Sequence, residues 1–289
     1  MKPAPFDYHR AVDVDDAVRA LHAADDAGKA IAGGQSLLAL MNLRLARPEL
    51  LVDLNPLRDL DYIEPRPDGG LAIGAMTRQR ALERSGLVRE RCPIMSEALP
   101  LVAHAAIRNR GTIGGSLAHA DASAELCSVS LAVDARLRVR GPHGDRDIPA
   151  AEFFLGPYTT ALAADEVLTE IVIPGGPPRS GSAFAEVSRR RGDFALAGAG
   201  AVIGLAEDGT VSHARLAYIS LGPSALRAPR AEESLLGSPL GEAAISRAVA
   251  LIGEDIAPGD DLHASAVFRL RLARVLTARV LRTAAGRAV

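Results

Sequence analysis

"AGGQSLLALMNLRLA", Ala32 to Ala46, places two glycines, a glutamine and a serine directly in front of an apolar run. The preceding "KAIA" reads as a buried strand, "SLLALMNLRLA" as a helix that stops before Pro48, and "ELLVDL" as another buried strand. The order is therefore strand, glycine turn, helix, strand. The first N–H groups of a helix have no intrahelical partner and carry partial positive charge, so a junction of this kind is a ready anion site. Gly33 and Gly34 allow the backbone to approach a phosphate oxygen. Ser36 can cap the helix or donate its hydroxyl to the same oxygen.

A second glycine turn, "RNRGTIGGSLAHADASAEL" from Arg108 to Leu126, offers the same parts in Thr112, Gly114, Gly115 and Ser116. It leads into an apolar helix expected over Leu126 to Asp134. Either turn alone reads as an ordinary capped turn. Two of them, each before an apolar helix, point to the two ends of a diphosphate, the linkage of dinucleotide cofactors. Neither turn is G-x-x-x-x-G-K-[ST] or G-x-G-x-x-G. "GAGAVIG", Gly198 to Gly204, imitates a dinucleotide fingerprint, but it lies in a strand-like run with "AEDGT" close behind, leaving no room for the helix that would hold a pyrophosphate. Gly198 and Gly200 read instead as close sheet packing.

The rest of the chain frames these turns. Its 289 residues exceed one comfortable core and suggest about two domains at roughly 150 residues each. A net charge of −2 and 24% charged residues give no bulk attraction for nucleic acid or an anionic membrane. Cys92 and Cys127 are the only cysteines, too few for a cluster held by four thiolates or for a disulfide framework. The N-terminal stretch has no signal-peptide core and no apolar run reaches about 18 residues, so a cytoplasmic location without a membrane span is expected. Asp13 is placed to cap a helix carrying Val14, Ala17, Val18 and Leu21 on one face. "GGLAIGAMT", "RLRVRG" and "VLTEIVIP" read as strands, and Leu82–Val88 and Pro93–Ile107 as helices. "PGGPPRSG", Pro174 to Gly181, reads as a linker. Beyond it "DFALAGAGAVIGL" and "TVSHARLAYISLG" read as strands, and the tail from Glu242 as mostly helical.

The two glycine stretches, with "FDYHRAVDVDDAV" near the start and "EVSRRRGDFALAGAGAVI" after the linker, resemble the FAD-binding medium subunit of molybdenum hydroxylases, the xanthine dehydrogenase family. The resemblance spans nearly the whole chain. It implies an α+β fold, with a two-part FAD-binding domain of the PCMH type over 1–175, split near 56–60, and a smaller C-terminal domain of antiparallel sheet and helices over 180–289. It implies that Ala32, Gly33, Gly34, Gln35, Ser36 and Leu37 wrap one side of the FAD pyrophosphate and Thr112, Gly114, Gly115 and Ser116 the other. By the same correspondence Glu125 accepts hydrogen bonds from the adenosine part, while Leu168 and Ile107 lie near the isoalloxazine. Ala122 and Cys127 stand where the family often has Pro, and Ala185 where some relatives carry a Lys near the flavin.

The remaining eye-catching residues read blandly. His104 and His119 have no partner at metal-ligand spacing, and His119 reads as a loop residue near the cofactor. Arg189, Arg190 and Arg191 read as a solvated surface. Leu270, Leu272, Val275, Leu276, Val280 and Leu281 of the last helix read as core packing rather than a membrane face. The implied role is that of an electron exit with noncovalent FAD. The molybdenum cofactor and the 2Fe–2S clusters would lie on a large and a small partner subunit, in a dimer of heterotrimers, and no residue of this chain would act as nucleophile or general base. A self-sufficient FAD-dependent oxidoreductase with its own substrate pocket, or a non-enzymatic nucleotide-binding or assembly protein, are the competing readings. The first would need an acid/base pair or a flavin-attachment residue, and the second would not need both turns.

Overall fold

The computed structural model of the chain describes Met1 to Ala288. Its first layer is a three-stranded parallel sheet formed by β1 (Asp7–Arg10), β2 (Gly28–Ile31) and β3 (Leu50–Asp53), in the order β1-β3-β2. Helix α1 (Val14–Ala24) begins where the Asp13 carboxylate accepts from the Asp16 amide at 2.7 Å, and buries Ala17, Val18 and Leu21. Helix α2 (Leu37–Asn42) is shorter than the run to Ala46 had suggested. Arg44 takes the left-handed conformation (φ 58°), and the amides of Leu45 and Ala46 turn back to the Leu40 carbonyl. The turn thus closes on its own carbonyls without a glycine.

The next part carries β4 (Ile63–Pro65) and β5 (Leu71–Gly74) and then a string of short helices. These are α3 (Gln79–Arg84), α4 (Gly86–Arg91), α5 (Pro93–Ala98), α6 (Ala105–Arg108), α7 (Ile113–His119) and α8 (Glu125–Ala132). Strands β6 (Arg136–Gly141) and β7 (Gly144–Pro149), helix α9 (Ala150–Phe153), the small hairpin β8 (Phe154–Gly156) and β9 (Thr159–Thr160), and β10 (Val167–Ile173) follow. The larger sheet runs β4-β5-β10-β6-β7 and is antiparallel throughout.

Several expected helices are subdivided here. Leu82–Val88 is broken at Ser85, whose hydroxyl accepts from the Val88 amide and starts a new helix. The expected helix Pro93–Ile107 ends at Ala98, ahead of Pro100, because a proline in the helix interior removes a donor and clashes with the preceding turn. Arg108 then holds the reversal together by donating to the Val102 and Ala103 carbonyls at 2.8 and 2.9 Å and pairing with Glu83. The second glycine stretch is itself helical: Gly114 and Gly115 lie in the first turn of α7, and His119 is its last residue rather than a loop residue.

After the linker comes a four-stranded antiparallel sheet of β11 (Ser180–Ser188), β12 (Ala195–Leu205), β13 (Val211–Ile219) and β14 (Leu226–Arg227). Behind it lie α10 (Pro229–Leu235), α11 (Glu242–Asp255) and α12 (Ala266–Ala285). Strand alternation divides the labour. Ala183, Ala197, Ala199 and Ala201 join a core with Leu276, Val280 and Leu281 of α12, whereas Val275 is half exposed. Phe184, Val202 and Ile219 belong to the core that contains β5, α5 and α8, so a single apolar body crosses the linker. The glycines of the decoy motif belong to this second face. A Cβ on Gly198 would stand 2.5 Å from Ile219 Cγ1, and one on Gly200 3.1 Å from Ile94 Cδ1.

Gly198→Val should therefore destabilise the chain by about 1–3 kcal/mol through overpacking, measured as a lower urea midpoint. Gly86→Ala, where nothing lies within 4 Å of the added carbon, should stay within about 0.5 kcal/mol.

Candidate functional site

The first glycine segment leaves β2 and passes through Ala32 to Ser36 before α2 begins. Gly34 is left-handed (φ 71°), and Gln35 Nε2 folds back onto the Gly33 carbonyl at 2.9 Å. Gly33 is buried because the backbone of the second segment lies on it: an added Cβ would be 2.3 Å from the Arg110 carbonyl oxygen and 2.8 Å from Gly111 Cα. The amides of Gly33, Gly34, Gln35 and Ser36 have no acceptor among the described residues. Successive free N–H groups around a left-handed residue form a concave donor surface suited to an anion.

The second segment is built differently. The Ile113 amide donates to the Thr77 carbonyl (3.1 Å), Gly114 to Ala75 (2.9 Å) and Gly115 to Thr112 Oγ1 (3.0 Å). The first-turn amides that were expected to cradle a phosphate are thus already engaged inside the chain. Gly114 is required by contact, since a Cβ there would lie 2.5 Å from Ala75 Cβ, and a Cβ on Gly115 would come to 3.6 Å from Ala32 Cβ. The two segments therefore face each other at Ala32 and Gly115, with donors supplied mainly by the first and the Ser116 hydroxyl adjoining from the second.

A brace that the sequence reading had missed joins them. Asn55, just past the end of β3, donates from Nδ2 to the Ala32 carbonyl at 2.8 Å and accepts from Arg78 Nη2 at 2.6 Å. Arg78 Nη1 donates in turn to the Arg110 carbonyl, the same oxygen that covers Gly33. Burial lowers the Arg78 pKa, with Arg110 and Arg58 adding like charge nearby. Asp53 orients Asn55 and, although burial opposes it, is held below its ordinary value by hydrogen bonds from Tyr8 and Asn55. The backbone N–H of Gln79 donates to the Gly111 carbonyl, and its buried side-chain Oε1 has no partner among the described residues.

The other expected positions divide. Ile107 is half buried on α6, and its carbonyl accepts from Gly111 at 2.7 Å, shaping the entry to the second segment. Leu168 is 5% exposed, its side chain turned into the core with Leu137 and Val139. The neighbouring Thr169 carbonyl accepts from the Ala75 amide, and the Ala75 carbonyl from Gly114, so the strand of Leu168 backs the second segment. Glu125 opens α8 and is 8% exposed; burial first, then the Glu186 and Asp121 carboxylates, raise its pKa from 4.5 to about 8. Glu186 faces it from β11, with Oε2 buried and without a partner among the described residues, and its pKa raised by burial to about 7. The two halves are tied beside this pair, where the Ser220 amide donates to the Ala122 carbonyl and its hydroxyl to Ser123 Oγ, both at 2.8 Å. His119 is tilted against Tyr158 at 5.0 Å, and Arg189, Arg190 and Arg191 are exposed.

Burial pushes the Cys92 thiol up to about 12 and raises Cys127 further, so neither is an available thiolate. Among the described residues no cluster of His, Cys, Asp and Glu could hold a metal ion, and no helix is long and apolar enough to cross a membrane.

Residues 4–176 match the FAD binding domain in molybdopterin dehydrogenase, and residues 182–284 the CO dehydrogenase flavoprotein C-terminal domain. The chain is 42% identical to the 6-hydroxypseudooxynicotine dehydrogenase complex subunit alpha of Paenarthrobacter nicotinovorans, over 100% of this chain and 97% of that one. It superposes on a chain of carbon monoxide dehydrogenase from Hydrogenophaga pseudoflava with a TM-score of 0.96, at 38% identity and full coverage of both. Against quinoline 2-oxidoreductase from Pseudomonas putida 86 the TM-score is 0.92 at 37% identity, covering 100% of this chain and 99% of the other.

A carboxyl whose folded pKa stands above its unfolded value binds more protons when folded, so its contribution to stability is full below pH 4.5 and declines as pH rises toward the folded value. The flavin-free protein should accordingly lose stability between about pH 4.5 and 8, and Glu125→Gln or Glu186→Gln should each flatten that slope in urea melts. A slope identical in both variants and the wild type would remove these carboxyls as its source.

Proposed function

Because the chain belongs to the family of FAD-binding medium subunits of molybdenum hydroxylases, we propose that it binds one noncovalent FAD and acts as the electron-exit subunit of a heteromeric dehydrogenase. A small subunit with two 2Fe–2S clusters and a large subunit with the molybdenum cofactor complete the assembly, a cytoplasmic dimer of heterotrimers. Residues 1–175 are the FAD-binding domain and residues 180–289 the C-terminal flavin-subunit domain.

The observation that carries this reading is the run of unengaged amides from Gly33 to Ser36, held open by the Asn55–Arg78 brace. A pyrophosphate is the ligand that such donors fit. In this assignment the first segment supplies backbone donors, Ser36 and Ser116 supply hydroxyls, and the guanidinium of Arg78 adds positive field from behind. Glu125, mostly protonated at pH 7 before binding, offers the adenosine hydroxyls an acceptor and a donor from one carboxyl. Ile107, partly exposed at the entry to the second segment, is the apolar contact assigned to the ring. FAD, when bound, supplies a two-electron store between one-electron carriers and an external acceptor. The chain's own part is to orient that group, keep water from the pyrophosphate side and leave one side open to the acceptor.

Acid precipitation should release the chromophore as FAD. Gly33→Val should abolish retention, since its side chain would displace the Arg110 carbonyl. Ser36→Ala leaves that contact untouched and should weaken FAD by about 1.5–3 kcal/mol, roughly 10- to 150-fold, in an equilibrium titration. Unchanged affinity in Ser36→Ala together with FAD retention in Gly33→Val would remove the first segment from the site.

The division of labour has its own test. Under anaerobic conditions, candidate heterocycles, aldehydes or carbon monoxide should bleach the flavin only when the chain is assembled with its large and small partners. Rapid bleaching of the lone, metal-free chain would instead establish a self-sufficient flavin oxidoreductase.

A further inference from the structure

Helix α2 is apolar in sequence and bare in the fold. Five leucines stand in the nine residues from Leu37 to Leu45, yet only Met41 in that run is fully covered. Leu37 and Leu40 are half buried, Leu38 is exposed, and Leu43 and Leu45 are 53% and 74% exposed. The backbone itself fixes this attitude, because Arg44 is left-handed and the amides of Leu45 and Ala46 turn back onto the Leu40 carbonyl. Single exposed leucines are ordinary on a protein surface, but a run of them is a patch, and such patches mark contacts.

The surroundings extend the patch and give it a sign. Arg44 Nε donates to the Lys2 carbonyl at 3.4 Å, and the Asp7 amide to the Glu49 carbonyl at 2.7 Å. The N-terminal segment therefore runs alongside the turn and adds Phe6 and Tyr8, both exposed. Arg44 and Arg47 spend guanidinium N–H groups on carbonyls only, and with Lys2 and Arg10 they have no carboxylate within ion-pair distance among the described residues. Asp7 and Glu49 are the exposed acids of these two stretches, so four cations stand against two anions on a chain whose net charge is −2.

Place decides the occupant. Leu37 closes the segment assigned to the pyrophosphate and opens α2, so the patch is continuous with the flavin site. Electron tunnelling falls off steeply with distance, and a partner that delivers electrons to a flavin held there must sit against this edge. A second copy of the chain fits poorly, because an isologous contact would set the cationic rim against itself. Resting on the reading of the chain as an electron-exit subunit, we propose that the α2 face is the seat of the iron–sulfur partner, whose facing surface is apolar at its centre and acidic at its rim. An apolar centre inside a polar rim is the usual anatomy of a protein interface.

The test uses the assembled, FAD-loaded complex. Cys92 and Cys127 are sealed in the core, so Leu45→Cys presents the one reachable thiol of this chain among the described residues and can carry a photo-crosslinker attached before assembly. Irradiation should link it to the iron–sulfur subunit. Leu43→Asp combined with Leu45→Asp should raise the dissociation constant for release of the chain from the complex roughly 30-fold, the scale of an interface hot spot. Arg47→Glu should raise it several-fold, and by less at high salt. FAD content and melting temperature of each free variant should match the wild type, which separates a lost contact from a lost fold. Cross-links to the large subunit or to a second copy, an unchanged dissociation constant in a folded double variant, or wild-type binding to phosphatidylserine vesicles that the double variant loses would each overturn the proposal and leave the electron-exit role standing. A wild-type complex without an iron–sulfur subunit would overturn that role as well.

Discussion

The carbonyl of Arg110 lying on Gly33 is the contact on which the site depends. It brings together two segments that are far apart in sequence, and it is possible only because Gly33 has no side chain. The same oxygen accepts from Arg78, which in turn holds Asn55 against the Ala32 carbonyl. One main-chain oxygen thus serves as spacer and as anchor. The free amides of the first segment follow from this arrangement: their neighbours are occupied elsewhere, and the left-handed Gly34 turns the chain away from any intramolecular acceptor. The amides of the second segment donate to Thr77, Ala75 and Thr112, which anchors it across from the free amides of the first.

Behind the site the two halves are one packed body. The outward face of the C-terminal sheet is narrow at Gly198 and Gly200, and this lets α5 and α8 approach its strands. The opposite face is lined with alanines, which allows α12 to lie close against β11 and β12. Small residues on both faces give a thin sheet between two helical layers. Polar ties mark the rim of the junction, including the Phe184 amide to Glu97 and Arg215 to Asp134. Ser182 Oγ and Glu186 Oε2, both on β11 in the same junction, are buried without a partner among the described residues. Glu186 and Glu125 together make this interface titratable near neutral pH.

Legibility in the sequence followed the strength of local signals. The strand–turn–helix–strand order around Gly33, the Asp13 cap and the strand from Val167 could all be read because their periodicity and punctuation are local. Strand β7 could not, since its residues are mostly polar and it is held by pairing with β6 and by Arg138–Asp147 and Arg140–Asp145 contacts. The breaks at Ser85 and Pro100 were written in the sequence but were outweighed by apolar periodicity around them. The clamp of Asn55 and Arg78 left little trace: a polar residue just past a buried strand is a weak hint, and its partners are set by tertiary contacts. The amides of the second glycine segment are the opposite case, where composition suggested free donors and the fold had already used them.

The two cysteines carry a consequence for the chain's chemical durability. Thiols react with peroxides and other oxidants as thiolates, and at a pKa of about 12 only roughly one Cys92 in 100,000 is ionised at pH 7. Cys127 is further from ionisation still, and both are sealed in the core. Reduced flavins that meet dioxygen release hydrogen peroxide, so a flavin-carrying subunit is its own nearest source of oxidant. With neither sulfur presented as a nucleophile, the first rung of cysteine oxidation is closed to both. Three of the four methionines, Met41, Met76 and Met95, are sealed in the same way, which leaves Met1 as the one exposed sulfur among the described residues.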